Sequence, residues 1–106
     1  MYAVTVTFEI MPEHADEIMP EHAEAFREAV VKQAENSVKK EEKCRQFDVC
    51  ADPGRPDVVF LYEIYDDAAA FREHLSSDHF KIFDAAVKPW LTGKTVETWD
   101  IIASPR

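Results

Sequence analysis

The spacing of apolar residues changes along this chain in an order that few folds accommodate. Residues 2–10, YAVTVTFEI, alternate, with Tyr2, Val4, Val6, Phe8 and Ile10 on one face of a strand and Ala3, Thr5, Thr7 and Glu9 on the other. From about 20 to 38 the period lengthens, and Ala23, Phe26, Val30, Ala34 and Val38 form a helical stripe. Pro20 suits the first position of that helix, where a missing N–H costs nothing, and Glu21 favours the positive end of its dipole. Alternation returns at 44–52 (CRQFDVCAD) and 58–66 (VVFLYEIYD), around a PGRP turn at 53–56. Residues 66–75 (DDAAAFREHL) predict a helix capped by Asp66 or Asp67 and anchored by Phe71 and Leu75. It restarts at an Asp78 cap, with His79, Ile82, Phe83, Ala86 and Trp90 along one stripe and Pro89 ending it. TVETWDII (95–102) is a last strand.

The order β-α-β-β-α-β is the ferredoxin-like arrangement, an α+β fold with its second helical region split in two. At 106 residues the chain reads as one domain, 1–106. An open four-stranded sheet with helices on one side leaves a face uncovered, expected here to be rich in Val, Phe and Ile. Two sheets packed face to face would cover it, so a homodimer forming an α/β barrel is expected.

Charge narrows the partners. Twelve Lys+Arg against 21 Asp+Glu give −9, and the one basic cluster, KKEEKCR (39–45), holds two Glu, so nucleic acid is not expected. No apolar run approaches the ~20 residues that span a bilayer, and the start lacks the basic region of a signal peptide. No membrane partner and a cytoplasmic location are the expectations. Cys44 and Cys50 lack metal-binding spacing and would share one strand face as reduced thiols.

Glu9–Ala15 recurs letter for letter as Glu17–Ala23, with Asp16 between the copies. Two copies of an octad do not make a solenoid. His14 and His22 lie eight apart rather than four, without the three or four converging ligands zinc needs. The repeat reads as a tandem duplication of a strand-end/helix-start signal. A helix opening at Pro12 would place Pro20 in its interior at a cost of ~3 kcal/mol unless it bends there, so Pro20 is the expected start and a kinked longer helix the alternative.

Few residues could carry chemistry. His79, near a helix start, could act as a base or neutral donor, or simply pack there with its polar tip wet. Tyr62 and Glu63 sit mid-strand in an apolar run; an inward Glu63 would have a raised pKa or orient a His, and one in a dimer seam would pair, for instance, with Arg45. Asp48, between Phe47 and Val49, raises the same alternatives. Phe47, Phe80, Phe83 and Trp90 could line a flat pocket or be plain core. His74 reads as structural. With only Gly54 and Gly93, no phosphate-cradling loop is expected.

The stretches VTVTFEI with its following PEH, CRQFDVCADPGRPDVVFLYEIYDDAAAFREHL and DHFKIFDAAVKPWL together resemble the antibiotic biosynthesis monooxygenase superfamily of small dimeric α/β barrels. Within it the chain is most similar to bacterial quinol monooxygenases and to the enzyme that processes the phosphorylated autoinducer-2 signal. The resemblance covers nearly all of the chain and makes one octad surplus. It implies oxidation of a quinol- or anthrone-like aromatic by O2 with no cofactor and no metal. It implies His79 for proton handling, Tyr62 and Glu63 as the family's strand pair, and Phe47, Phe80 and Trp90 as pocket walls. Haem-degrading relatives pair such a His with an Asn on the first strand; here that strand offers Thr5 and Thr7, and the single Asn, Asn36, is elsewhere, against haem as substrate. Two alternatives stay open. One is an isomerase or degrading enzyme for a small phosphorylated signal sugar, using Arg45, Arg72 or Lys81. The other is a non-catalytic dimeric ligand-binding module.

Overall fold

A computed structural model describes residues 1–11 and 20–105. Its elements are β1 (Tyr2–Ile10), α1 (Pro20–Lys40), β2 (Cys44–Asp52), β3 (Arg55–Tyr65), α2 (Ala68–Ser76), α3 (Asp78–Val87), a 3-10 turn (Lys88–Trp90) and β4 (Leu91–Asp100). One antiparallel sheet has the strand order β2-β3-β1-β4, so the ferredoxin-like expectation holds. Residues 12–19, and with them most of the first copy of the repeat and the question of a longer α1, lie outside the described residues. No helix among the described residues is long and apolar enough to cross a membrane.

Strand alternation divides the residues between two sheet faces. Val4 stands opposite Glu63, Val6 opposite Leu61 and Phe8 opposite Val59, and this face carries the helices. Burying side chains such as Phe8, Phe26 and Val30 there stabilises the fold by about 1.5–3 kcal/mol each. Phe8 meets Phe26 edge-on at 5.0 Å, and Phe83 closes the cluster at 6.4 Å from both. The open face is less apolar than its expected Val, Phe and Ile. Val58, Phe60, Tyr62 and Ile64 of β3 give it a greasy centre, but Thr5, Thr7, Asp48 and Glu97 surround them.

Several local expectations are corrected. Arg45 is an extra residue in the β2–β3 register, where Cys44 pairs with Tyr65 and Gln46 with Ile64. That bulge puts Cys44 in the core and leaves Cys50 exposed, instead of both on one face. It also sends the Arg45 guanidinium to Asp66, at 2.5 and 3.0 Å, rather than to Glu63. Asp67 is the cap of α2, its carboxylate accepting from Ala70 N–H at 2.8 Å. Ser77, not Asp78, caps α3: its hydroxyl accepts from Phe80 N–H while donating to the His74 carbonyl. On α3, Ile82 points to solvent while Phe83 and Val87 are buried. Val38 is likewise exposed, because the inward row of α1 shifts to Gln33 and Ser37 near its end. β4 begins at Leu91 rather than 95, since Ile10 pairs with Leu91 beyond a bulge at Thr92 of β4.

Candidate active site

A cavity of about 170 Å3 lies between the covered face of the sheet and helices α2 and α3. Phe47, Leu61 and Glu63 form part of its floor, with Phe71, His74 and Phe80 above them. Leu75, Lys94 and Val96 also line it and are its most exposed members, which marks the mouth along β4.

Glu63 is only 2% exposed. Tyr65 Oη donates to its Oε1 at 2.6 Å. Burial raises the Glu63 carboxyl above the ordinary carboxylate range, opposed by the Tyr65 hydrogen bond and the nearby His74. Burial first, and then the Glu63 charge, push the Tyr65 phenol strongly upward, so it stays a donor.

His74 is held by its surroundings. Its Nδ1 lies 2.9 and 3.2 Å from the two oxygens of Glu41, a residue just past the end of α1. Phe71 stacks near it at 6.2 Å and Phe80 tilts against it at 5.0 Å. A carboxylate on Nδ1 fixes the tautomer and leaves Nε2 as the basic nitrogen.

His79 stands behind this pair. Its ring centroid is 5.9 Å from that of His74, and its Nε2 is 2.7 Å from Glu41 Oε2, but off the N–H line that would make an aligned hydrogen bond. Its Nδ1 is 3.3 Å from Gln33 Oε1. Ser37 Oγ donates to the Gln33 carbonyl, so it can only accept from the Gln33 amide, and this orients Oε1 toward His79. Gln33, Ser37 and Glu41 thus form a polar row at i, i+4 and i+8 facing the two imidazoles. At the mouth, Lys94 Nζ lies 3.2 Å from Asp84 Oδ1 and over the rings of Phe8 and Phe80, at 5.8 and 5.5 Å.

Of the residues singled out from sequence, the structure brings Glu63, Phe47, Phe80 and Phe83 together around the cavity. His79 is not among the lining residues and adjoins the cavity through His74 and Gln33, which are. Trp90 packs against the core from the 3-10 turn and is not among the lining residues. Tyr62, Asp48, Thr5 and Thr7 face the other way. Tyr62 is paired with Asp48 and Thr5 on the open side, where Trp99 Nε1 donates to Thr5 Oγ1 at 3.2 Å. The sequence reads His74 as structural and gives no role to Glu41, Tyr65 and Lys94. The four-residue spacing of Gln33, Ser37 and Glu41 was visible, but nothing in it named its partners.

Residues 17–86 match the antibiotic biosynthesis monooxygenase family. The chain belongs to that family. Solved structures share its fold. One, from Deinococcus radiodurans and provisionally named an antibiotic biosynthesis monooxygenase, aligns with a TM-score of 0.85 at 20% identity, covering 100% of this chain and 97% of that one. Another with the same provisional name, from Nitrosomonas europaea, gives 0.83 at 21% identity, covering 97% and 100%. A Mycobacterium tuberculosis protein gives 0.82 at 22%, covering 99% and 98%. At such identities the likeness is one of fold. No curated protein matches the chain.

Proposed function

We propose that this family member is a monooxygenase that oxidises a quinol-like aromatic with O2, with no cofactor, and that His74 rather than His79 takes the substrate's proton. The observation that carries this reading is the Glu41–His74 pair beside a cavity walled by aromatic rings. Cavity size favours a small substrate. About 170 Å3 falls below the roughly 300–1,000 Å3 of sites for drug-sized ligands, so one or two rings fit better than a three-ring anthrone.

In the proposed reaction, His74 Nε2 removes a phenolic proton while Glu41 stabilises the imidazolium. Glu63, through the oxygen not engaged by Tyr65, holds the second hydroxyl. The phenolate passes one electron to O2, giving a semiquinone and superoxide. These join at a ring carbon as a peroxide, and loss of water leaves a hydroxylated quinone. One oxygen atom enters the product and the other leaves as water. The protein supplies a base, orientation and a dry pocket.

The phosphorylated-sugar alternative has less support. Arg45 is engaged by Asp66, neither Arg72 nor Lys81 lines the cavity, and the lining cation Lys94 sits beside Asp84. A non-catalytic binding module is the outcome if no turnover is found. We also propose that two copies pair through the open face, where Phe60 and Trp99 are 38% and 52% exposed.

The test is O2 uptake with a panel of hydroquinones in the presence of chelator, comparing wild type, His74→Ala and His79→Ala. Uptake above the uncatalysed rate that collapses in His74→Ala is the expected result. Uptake indistinguishable from buffer across the panel overturns the oxygenase reading, and full activity in His74→Ala removes His74 from it.

A further inference from the structure

Hydrogen-bond bookkeeping around His79 leaves one nitrogen unaccounted for. Gln33 Oε1 only accepts, so His79 Nδ1 carries a proton toward it. In the neutral ring Nε2 then bears a lone pair, yet it lies 2.7 Å from a carboxylate oxygen that also offers lone pairs. Nε2 is buried and lacks an aligned partner among the described residues. Two acceptors this close need either a proton or a metal cation between them. The Nδ1 of His74 borders the same carboxylate at 2.9 Å.

We propose that Glu41, His74 and His79 form a binding site for a borderline divalent cation, with zinc the best match, at the junction of α1, α2 and α3. Their ligand atoms all lie within 4.8 Å of one another. Zinc bonds of about 2.0–2.1 Å hold tetrahedral ligand atoms roughly 3.3 Å apart, so the two Glu41 contacts need to open by about half an ångström and the two imidazole nitrogens to close by up to about 1.5 Å. Two imidazoles and one carboxylate, with the fourth position left to water, suit zinc and its first-row neighbours rather than magnesium or calcium. The outer support is in place, because a ligating His characteristically donates its other N–H to a carbonyl, as His79 does to Gln33. Glu41 borders one surface groove with Glu42, Glu73, Lys40 and Lys43, and His79 borders another with Asn36, Lys32 and Lys40, so a cation would enter past side chains of both signs. The net charge of −9 favours its approach.

The break between α2 and α3 makes the cluster possible. His74 and His79 are five apart, a spacing that one straight helix would not stack. Ser77 ends one helix and caps the next, turning both rings to the same carboxylate. Occupancy has a consequence that rests on the function proposed above. A cation on His74 Nδ1 moves the ring's proton to Nε2, removing the base, so the metal would inhibit O2 uptake.

The experiment is titration of chelator-treated, dialysed protein with Co(II), read by visible absorption, followed by displacement with Zn(II) in calorimetry and thermal melting. One Co(II) per chain with intense low-symmetry bands, displaced by zinc with a rise in Tm, is expected. His79→Gln and Glu41→Gln, each checked for folding by circular dichroism, should weaken binding at least tenfold, while His14→Ala and His22→Ala leave it unchanged. Should one variant fail to fold, the other carries the comparison. No stoichiometric binding means that a shared proton bridges the cluster, and this overturns the site. So does binding that survives both cluster variants or disappears with the repeat histidines. The absorption readout needs no turnover, so the site can stand if the oxygenase reading fails. Cobalt bound with O2 uptake undiminished overturns the inhibitory consequence.

Discussion

Tyr62 and Glu63 are neighbours on β3 and end in different chemical worlds. Glu63 lies under the helices beside His74 and Tyr65, almost without water, while Tyr62 looks out across the open face between Thr5 and Asp48. The same division runs through β1, where Phe8 is core and Thr7 is not, and through β2, where Phe47 lines the cavity and Asp48 bonds Gln46 on the far side. One face is therefore buried and lines the cavity, and the other is open, where the proposed dimer contact would lie. A one-residue shift of any strand would exchange the two faces, so register decides which residues reach the cavity.

Substitutions on the two faces should separate sharply. The largest expected effect is on turnover: His74→Ala lowers kcat/KM by about 10²–10⁴-fold, whereas Tyr62→Phe changes it less than about threefold, both read by O2 uptake. Comparable losses from Tyr62→Phe would bring the open face into the chemistry and break the division. Stability follows. Phe8→Ala should cost about 3–5 kcal/mol in urea unfolding through the cavity it leaves. Phe60→Ala, measured at concentrations low enough to dissociate any dimer, should stay within about 1 kcal/mol.

Association reverses the ranking of the faces. Trp99→Glu should weaken self-association at least about tenfold in sedimentation equilibrium, while leaving the monomer folded. A wild-type chain that sediments as a monomer at high concentration would remove the proposed seam.

The smallest effect concerns pH. The folded-state pKa of Glu63 is raised, so its neutral form is the one the fold favours. That contribution is complete in acid and is lost as pH rises through the raised folded value. Glu63→Gln keeps an acceptor for Tyr65 and removes the charge. Relative to wild type, its Tm should therefore improve from acid to neutral pH; a constant difference across that range would mean the carboxyl carries no burial cost.

Much of the fold was legible in the residues. Period-two runs named the strands, period 3.6 named the first helix, and their order selected one topology. The split of the second helical region was visible too, although its cap was placed one residue late because Ser77 and Asp78 are both good caps. The site was less legible. Glu63 and the aromatic walls could be guessed from an apolar strand interrupted by a carboxylate. His79 was favoured for its place at a helix start, while His74 gave no local sign that its ring would close over a cavity.

The sequence by itself determined the alternation, the helical stripe, the acidic charge and the family motifs, because these are local patterns that survive in any listing of residues. Tertiary structure decided the rest. The Arg45 bulge chose which face Cys44 would occupy. Glu41, 33 residues before His74, met it only when the end of α1 came to rest beside α2. Pairwise contacts between distant residues depend on register and helix docking, and those are settled by packing of the whole core rather than by any short stretch of chain.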